Sequence, residues 1–180
     1  MSLTKVFFLS SEIEPFSNTY SVSDFSFNFG LEMKKNKEVD IRMCQPKYGY
    51  ISERKYILRE VIRLKDLEVN FKSDVRIANL KSAFIPQSRV QVYFMEDQDY
   101  FQPCGDLLYK SKNGRFLSDN FLKFAFFSQS VLFSLKKLFW APEVIVSNDW
   151  QTSFVPMLGK LHYQKDDFYK NIKYVHIVHS

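Results

Sequence analysis

Three polar residues that can take part in chemistry come shortly after apolar segments of the sequence. Glu12 follows the first such segment, Asp149 follows a later one, and His179 follows the last. Ligands of open parallel sheets bind beyond the carboxyl ends of the strands, so we expect these three residues to line one crevice. Trp150 would add an indole, and predicted helix starts nearby would offer free backbone N–H groups to anions. The sequence therefore predicts a polar crevice suited to a phosphate or a sugar.

Each of these residues also has a structural explanation. Glu12 can be a solvated loop acid, and Asp149 can cap the helix that follows it. Trp150 can belong to the core. A lone histidine is usually structural, and this explanation covers His162, His176 and His179.

Several classes of site are disfavoured. The stretch at residues 18–21, after the first strand, contains no glycine, which argues against a nicotinamide-type Rossmann domain. No nucleophile elbow and no metal-spaced cluster is present. Cys44 and Cys104 lie far apart and match no metal or redox spacing, which suits a reducing cytoplasm. We therefore expect no cofactor and a cytoplasmic location.

The charge pattern argues against nucleic-acid and membrane partners. The net charge is +5, but the charges are dispersed, and the densest run, Lys34, Lys35 and Lys37, suits the end of a helix. No apolar run approaches the roughly 18 residues of a membrane span. No signal peptide is apparent, and residues 1–3 resemble a start or a cloning scar, so they are set aside.

The first part of the chain predicts a βαβ unit. An apolar strand at 6–9 leads into a polar loop at 10–20 and then a helix at 22–35, which Ser21 or Ser23 could cap. A second strand follows at 39–43. Such units build parallel sheets with right-handed crossovers.

The rest of the sequence predicts a β-rich insertion followed by further strands that alternate with helices. Three short strands are expected in the insertion, at 57–64, 67–71 and 76–80. The later elements are a strand at 90–94, a loop at 96–115, a helix at 118–138, a strand at 144–146, a helix at 152–162 and a strand at 174–178. The expected class is α/β: an open, mostly parallel Rossmann-like sheet with helices on both faces and a small β-rich insertion at about 56–86.

Six segments, in order, resemble the catalytic domain of bacterial glycogen synthases and plant starch synthases. They are residues 5–16 with the loop Ser-Ser-Glu-Ile-Glu-Pro-Phe, 45–49 with Pro-Lys-Tyr-Gly, 93–101, 119–128, 142–156 with Asn-Asp-Trp-Gln-Thr, and 173–179 with its final His. Residues 52–54 and 59–63 look most like divergent synthase-like proteins of the Bacteroidetes lineage.

The resemblance implies the N-terminal half of a GT-B glycosyltransferase. Residues 1–180 would form a single domain, and the C-terminal Rossmann domain would be absent. The implied activity is retaining transfer of glucose from ADP-glucose to an α-1,4-glucan, so ADP-glucose, α-glucan and the missing domain are the expected partners. His179 and Asp149 would be catalytic. The implied substrate-binding residues are Glu12, Asn18, Thr19, Asp24, Asn148, Trp150 and Gln151.

The sequence departs from the family at the positions that would meet the sugar nucleotide. The family's Lys-Thr-Gly-Gly-Leu motif reads Asn-Thr-Tyr-Ser-Val at residues 18–22, so Asn18 brings no charge, and Tyr20 and Ser21 should crowd the pocket. Gln151 stands where the family has His, and Ser180 where it has Asn. These changes keep three functions open: part of a glucosyltransferase, a non-catalytic domain that binds glucan or regulates a synthase, and a generic nucleotide-binding α/β domain.

Overall fold

The computed structural model describes residues 3–179. The strands are β1 (Thr4–Leu9), β2 (Val39–Pro46), β3 (Arg59–Glu60), β4 (Leu67–Phe71), β5 (Asp74–Phe84), β6 (Gln91–Glu96), β7 (Val144–Asn148) and β8 (Lys173–Ile177). The helices are α1 (Val22–Lys35), α2 (Glu53–Tyr56), α3 (Asn120–Leu138) and α4 (Phe154–Leu161), with 3₁₀ turns at Ile62–Leu64 and Trp150–Thr152. Met1 and Ser2, set aside above, and Ser180, at the family's Asn position, lie outside the described residues.

One sheet runs through the molecule in the order β3-β5-β6-β2-β1-β7-β8, and β4 pairs with β5. The five strands from β6 to β8 along this order are parallel to one another. The pairs that involve β3, β4 and β5 are antiparallel. The predicted class, a mostly parallel sheet with a β-rich addition, is confirmed.

Helices cover both faces of the sheet. Adjacent residues of β1 point to opposite faces, so they pack against different helices. Phe8 stacks on Phe29 of α1, with ring centroids 4.6 Å apart. On the other face, Phe7 packs edge-on against Trp140, which follows α3, at 5.9 Å. The alternating direction of the side chains therefore decides which residues of β1 meet which helix.

The first helix has the bounds that the sequence predicts, but its start is not capped as expected. Ser21 occupies the N-cap position without a side-chain capping bond. The Ser23 hydroxyl instead donates to the Asn18 side chain (2.8 Å) and to the Tyr20 carbonyl (2.7 Å). The end is as predicted, since Lys34 and Lys35 lie in the last turn, where cations offset the helix dipole.

The predicted strand at 57–64 is wrong. This segment contains the residue that caps the end of α2, the two residues of β3 and a 3₁₀ turn. Ile57 adopts a left-handed conformation with φ 54°, which ends α2. Ile57 and Ile62 are also 66% and 89% exposed, so their apolar spacing does not mark a buried strand face. The strand predicted at 76–80 is present but is the middle of the longer β5.

The β-rich segment is joined to the parallel sheet by ion pairs. Lys47, almost completely buried after β2, lies 3.3 Å from Glu53 and 3.8 Å from Glu96. Lys81 of β5 contacts the same two carboxylates at 2.7 and 3.5 Å. The hydrogen bond from Lys81 is the main cause that holds the pKa of Glu53 below its usual value. Because charges of opposite sign alternate, neither buried lysine is left unpaired.

The last two helices start at different residues from those predicted. Helix α3 begins at Asn120 instead of residue 118 and ends at Leu138 as predicted, where Phe139 turns left-handed (φ 56°) before Pro142 is reached. The helix predicted at 152–162 is divided into a 3₁₀ turn and α4. Pro156 is the third residue of α4, where no intrahelical hydrogen bond from its nitrogen is needed. No helix within residues 3–179 is both long and apolar enough to cross a membrane.

We expect Gly49→Ala to destabilise the protein by about 1–3 kcal/mol. A Cβ at Gly49 would overlap the backbone carbonyl of Gln102, and the Gly49 N–H already donates to the Phe101 carbonyl at 3.1 Å. Gly105→Ala is the matched control, because a Cβ at Gly105 meets nothing within 4 Å. Urea unfolding of the three proteins measures the difference, and equal midpoints for both variants would contradict the close approach at Gly49.

Candidate functional site

The side-chain amide of Asn148 joins the tips of three parallel strands. Asn148 ends β7 and is fully buried. Its Nδ2 donates to the hydroxyls of Ser10, just after β1 (3.3 Å), and Ser26 of α1 (3.4 Å). Its Oδ1 lies 2.7 Å from Nε2 of His179, two residues after β8. Residues 10, 26, 148 and 179 therefore meet at one edge of the sheet.

The network fixes the orientation of the exposed His179 ring. The Asn148 amide nitrogen faces two serine oxygens, so its carbonyl oxygen faces His179, and the proton belongs on Nε2. In this tautomer the other ring nitrogen, Nδ1, can accept a hydrogen bond. Phe25 packs edge-on against the ring at 4.7 Å. His179 is thus held at the surface by a buried amide and an aromatic side chain.

Glu12 lies beside this edge but faces inward. Its carboxylate is buried and accepts hydrogen bonds from the Ser17 hydroxyl (2.6 Å) and the backbone N–H groups of Thr19 (2.8 Å) and Tyr20 (3.0 Å). Burial is the largest influence and raises the pKa of Glu12, although these hydrogen bonds oppose it. Glu12 therefore shapes the loop before α1, and the explanation as a solvated loop acid is wrong.

Asp149 has a backbone conformation that is normally restricted to glycine, with φ 65° and ψ 178°. Its N–H donates to the Ile177 carbonyl at 2.8 Å, and its carboxylate accepts from the Trp150 N–H at 2.8 Å. The capping interpretation is therefore correct for the 3₁₀ turn. Capping alone does not need this conformation, and strain of this kind concentrates at functional sites.

Trp150 and Gln151, the two residues after Asp149, differ in burial: the tryptophan is partly exposed and the glutamine is buried. Trp150 is 38% exposed and packs edge-to-face on Tyr109 (5.2 Å) and Phe124 (5.3 Å), so it is not simply a core residue. Gln151 is fully buried, and within the described part of the chain its amide makes no hydrogen bond of good geometry, although it lies close enough to the Tyr109 hydroxyl to oppose the rise of that group's pKa. Buried amides that are so poorly hydrogen-bonded are rare in native folds.

The loop at 17–20 is fastened to the loop after β6. Thr19 Oγ1 donates to the Asp106 carbonyl (2.8 Å), and the Tyr20 hydroxyl donates to the Leu107 carbonyl (3.2 Å). The Tyr20 ring stacks on Tyr109 at 4.7 Å. Tyr20 thus fills the space between the two loops, where glycine would leave a gap.

The remaining two sequence-predicted residues are exposed and engaged locally. Asn18 accepts a hydrogen bond from Ser23 through Oδ1. Asp24, in the first turn of α1, accepts one from Asn28 at 3.0 Å. Neither contacts the network around Asn148 through the hydrogen bonds of the described residues.

Sequence reasoning missed Tyr109, which connects several parts of the site. It stacks on Tyr20 and packs against Trp150, and the nearby charges of Glu12 and Asp149 add to the burial that raises its pKa. The residue lies within the long polar loop, where no local pattern distinguishes it. Only the contacts between distant segments reveal its position.

The fold and this edge define the class of the protein: an α/β domain with polar and aromatic side chains grouped at the carboxyl ends of its parallel strands, where ligands of open sheets bind. Residues 5–180 match the family described as the starch synthase catalytic domain. The chain therefore belongs to the starch synthase catalytic domain family, as its motifs indicate.

Known proteins resemble the chain over almost its entire length. It is 35% identical over 176 residues to the glycogen synthases of Pelodictyon phaeoclathratiforme and Chlorobaculum parvum, and each alignment covers 98% of this chain and 36% of the relative. The chain thus spans about a third of the length of these relatives. The structure of the catalytic domain of starch synthase IV from Arabidopsis thaliana, bound to ADP and acarbose, matches with a TM-score of 0.79 and 19% identity, over 100% of this chain and 34% of that one. This GT-B glycosyltransferase confirms the fold.

We expect Glu12→Gln to lower stability by about 1.5–3 kcal/mol at neutral pH, because an amide cannot accept hydrogen bonds on both sides as the carboxylate does. Since burial raises the pKa of Glu12 in the folded state, the wild type gains stability relative to the variant as the pH falls through that pKa. The difference should be largest below the ordinary glutamate pKa of about 4.3.

Urea unfolding at neutral and acidic pH measures this difference. Glu14→Gln, on the same loop and only half-buried, is the matched control and should change little. If the difference in unfolding free energy between wild type and Glu12→Gln became smaller on acidification, the raised pKa of Glu12 would be contradicted.

Proposed function

We propose that this chain is the N-terminal domain of a glycogen/starch synthase-type glucosyltransferase. In this proposal residues 1–180 form one domain that carries a β-rich insertion at about 56–86. A second Rossmann-like domain completes the cleft. The observation that carries the proposal is the Asn148 network, which presents His179 beside Asp149 in a chain of this family.

The proposed reaction transfers glucose from ADP-glucose to the non-reducing end of an α-1,4-glucan. The bond between the anomeric carbon and the diphosphate breaks, ADP leaves, and an acceptor hydroxyl forms the new bond with retained configuration. His179, Asp149 and Trp150 are assigned to the sugars: the first two as hydrogen-bond acceptors for hydroxyls, and the indole as a surface for a sugar ring. The buried amide of Gln151 and the ordered Thr19 backbone support the same cleft.

Stabilising the leaving diphosphate needs positive groups, and we assign these to the second domain. Asn18 replaces the family's lysine and uses its Oδ1 to accept from Ser23. A lost charge-assisted hydrogen bond costs about 1.5–3 kcal/mol. This domain alone should therefore bind glucan better than ADP-glucose and should not catalyse glucose transfer.

A second candidate function is a non-catalytic domain that binds glucan or regulates a complete synthase. The observation that favours it is Tyr20, which replaces a family glycine and fills the space between two loops by stacking on Tyr109. Both candidates place the protein in the cytoplasm, where free thiols at Cys44 and Cys104 are stable. Neither assigns it a nucleic-acid or membrane partner.

We expect maltoheptaose to raise the melting temperature of the chain and to shift the His179 ring resonances, whereas ADP-glucose alone should do little. Asp149→Gly should weaken maltoheptaose binding without lowering the unfolding free energy, because glycine relieves the strained backbone while the carboxylate is lost. Calorimetric titration and thermal unfolding measure the two effects.

His179→Ala should weaken maltoheptaose binding in the same titration. His162→Ala is the matched control, since His162 is exposed at the end of α4, outside the Asn148 network. Tight binding of ADP-glucose with no response to maltoheptaose would overturn the proposed function.

We expect the triple substitution Asn18→Lys, Tyr20→Gly and Ser21→Gly to improve sugar-nucleotide binding only when the second domain is supplied. The added ammonium would meet a diphosphate, and the glycines would let the backbone approach a ligand. The isolated domain should lose stability, because the stack on Tyr109 and the bond to Leu107 are removed. Glucose transfer by the domain combined with a relative's C-terminal domain is the measurement, and no gain there would favour the non-catalytic candidate.

A further inference from the structure

An uncharged aromatic groove lies next to Trp150, outside the strand-tip network. It is a pocket of about 350 Å³ between the loop before α3 and the first turn of that helix. We call it the aromatic groove, and its lining residues are Phe116, Leu117, Ser118, Asn120, Phe121 and Trp150. Trp150, which follows Asp149 directly, lines the groove and is also a residue of the candidate site.

The aromatic side chains of the groove are exposed on one side and supported on the other. Phe116 and Phe121 are 62% and 65% exposed, values far above those of the core rings. Phe121 packs edge-on against Phe154 of α4 at 4.9 Å, and Phe116 lies parallel to Tyr109 at 6.1 Å. Clustered exposed aromatic rings of this kind mark a binding surface.

The groove contains no charged residue among its lining side chains, although a quarter of the chain is charged. A neighbouring cation, Lys110 Nζ, lies 5.4 Å from the ring centroid of Phe116 but also 5.0 Å from that of Tyr20, outside the lining. The lining itself therefore offers no ion pair to a charged ligand. The lining fits a neutral ligand.

Asn120 adds a polar requirement. It is 6% exposed, and its Nδ2 donates to the Tyr109 carbonyl at 2.8 Å. This bond fixes the amide orientation and leaves Oδ1 buried without a hydrogen-bond partner within residues 3–179. A purely apolar partner would leave that oxygen unpaired, at a cost that a hydroxyl-rich ligand removes after a small shift of the side chain. Ser118 is an exposed hydroxyl in the same wall.

We propose that the aromatic groove binds roughly one or two glucosyl units of an α-glucan, beyond the units held at the strand tips. The C–H faces of the sugar ring lie against Phe121 and Phe116, whose π faces are electron-rich. Sugar hydroxyls reach Asn120 Oδ1 and the Ser118 hydroxyl. This inference rests on the proposed function for the identity of the ligand.

The test compares maltoheptaose binding by wild type, Phe116→Ser, Phe121→Ser and the control Phe84→Ser in the whole 180-residue chain. Phe84 is a similarly exposed (58%) phenylalanine at the end of β5, outside the groove lining. We expect each groove variant to weaken binding about five- to tenfold, as loss of one stacking ring implies, and the control to leave it unchanged. Heteronuclear spectra should also show the Trp150 indole shifting in wild type and shifting less in Phe121→Ser.

The outcomes separate this inference from the proposed function. If maltoheptaose shifts His179 equally in all four proteins and the groove substitutions leave affinity unchanged, the groove assignment is overturned and the proposed function stands. If maltoheptaose shifts neither His179 nor Trp150, both are overturned. If the groove instead binds the uncharged apolar dye Nile red and maltoheptaose does not displace it, the groove is a docking surface for an apolar partner and the inference is wrong.

Discussion

The candidate site depends on one buried amide. Asn148 is removed from water, and burying an amide costs free energy unless its two ends are hydrogen-bonded, as they are here. Ser10 and Ser26 accept from its nitrogen, and His179 lies against its oxygen, so one residue ties β1, α1, β7 and the end of β8 together. A carboxylate could not donate to the serines, and an apolar side chain could do neither. The hydrogen bonds of Asn148 therefore hold the exposed His179 ring in place and also join the strand ends at this edge of the sheet.

The sequence predicts those parts of the fold that depend on local periodicity and topology. Helix α1 has the predicted bounds because its buried residues recur with the helical period, and the parallel sheet follows from the βαβ order. The prediction failed at 57–64 because exposed isoleucines produced an apolar pattern with no core behind it. The strand-tip rule also predicted the neighbourhood of His179 and Asn148. It could not predict that Glu12 faces inward or that Tyr109, 89 residues after Tyr20, stacks on it.

The residues that shape the loop before α1 and the residues that would meet a sugar nucleotide behave differently in this chain. Glu12 is a buried acceptor that orders the backbone N–H groups of Thr19 and Tyr20. The loop is thus ordered although residues 10–21 contain neither lysine nor glycine. Tyr20 and Thr19 then fasten it to the loop after β6 through side-chain contacts. Glu12 and Tyr20 thus give the loop its shape, whereas binding a diphosphate would need a positive charge, which Asn18 does not supply.

This separation explains why the two candidate functions share one surface. Both need hydroxyl acceptors and an aromatic face, and Asp149, His179 and Trp150 provide them without any lysine or arginine in the Asn148 network. Asp149 is the most informative member, because its glycine-like backbone is held by the bond to Ile177 while its carboxylate does no more locally than cap one turn. A strained residue with so small a structural role is better explained by a ligand than by folding. A neutral, hydroxyl-rich ligand satisfies that explanation in either proposed function, and the two proposals differ only in whether positive groups from elsewhere stabilise a leaving diphosphate.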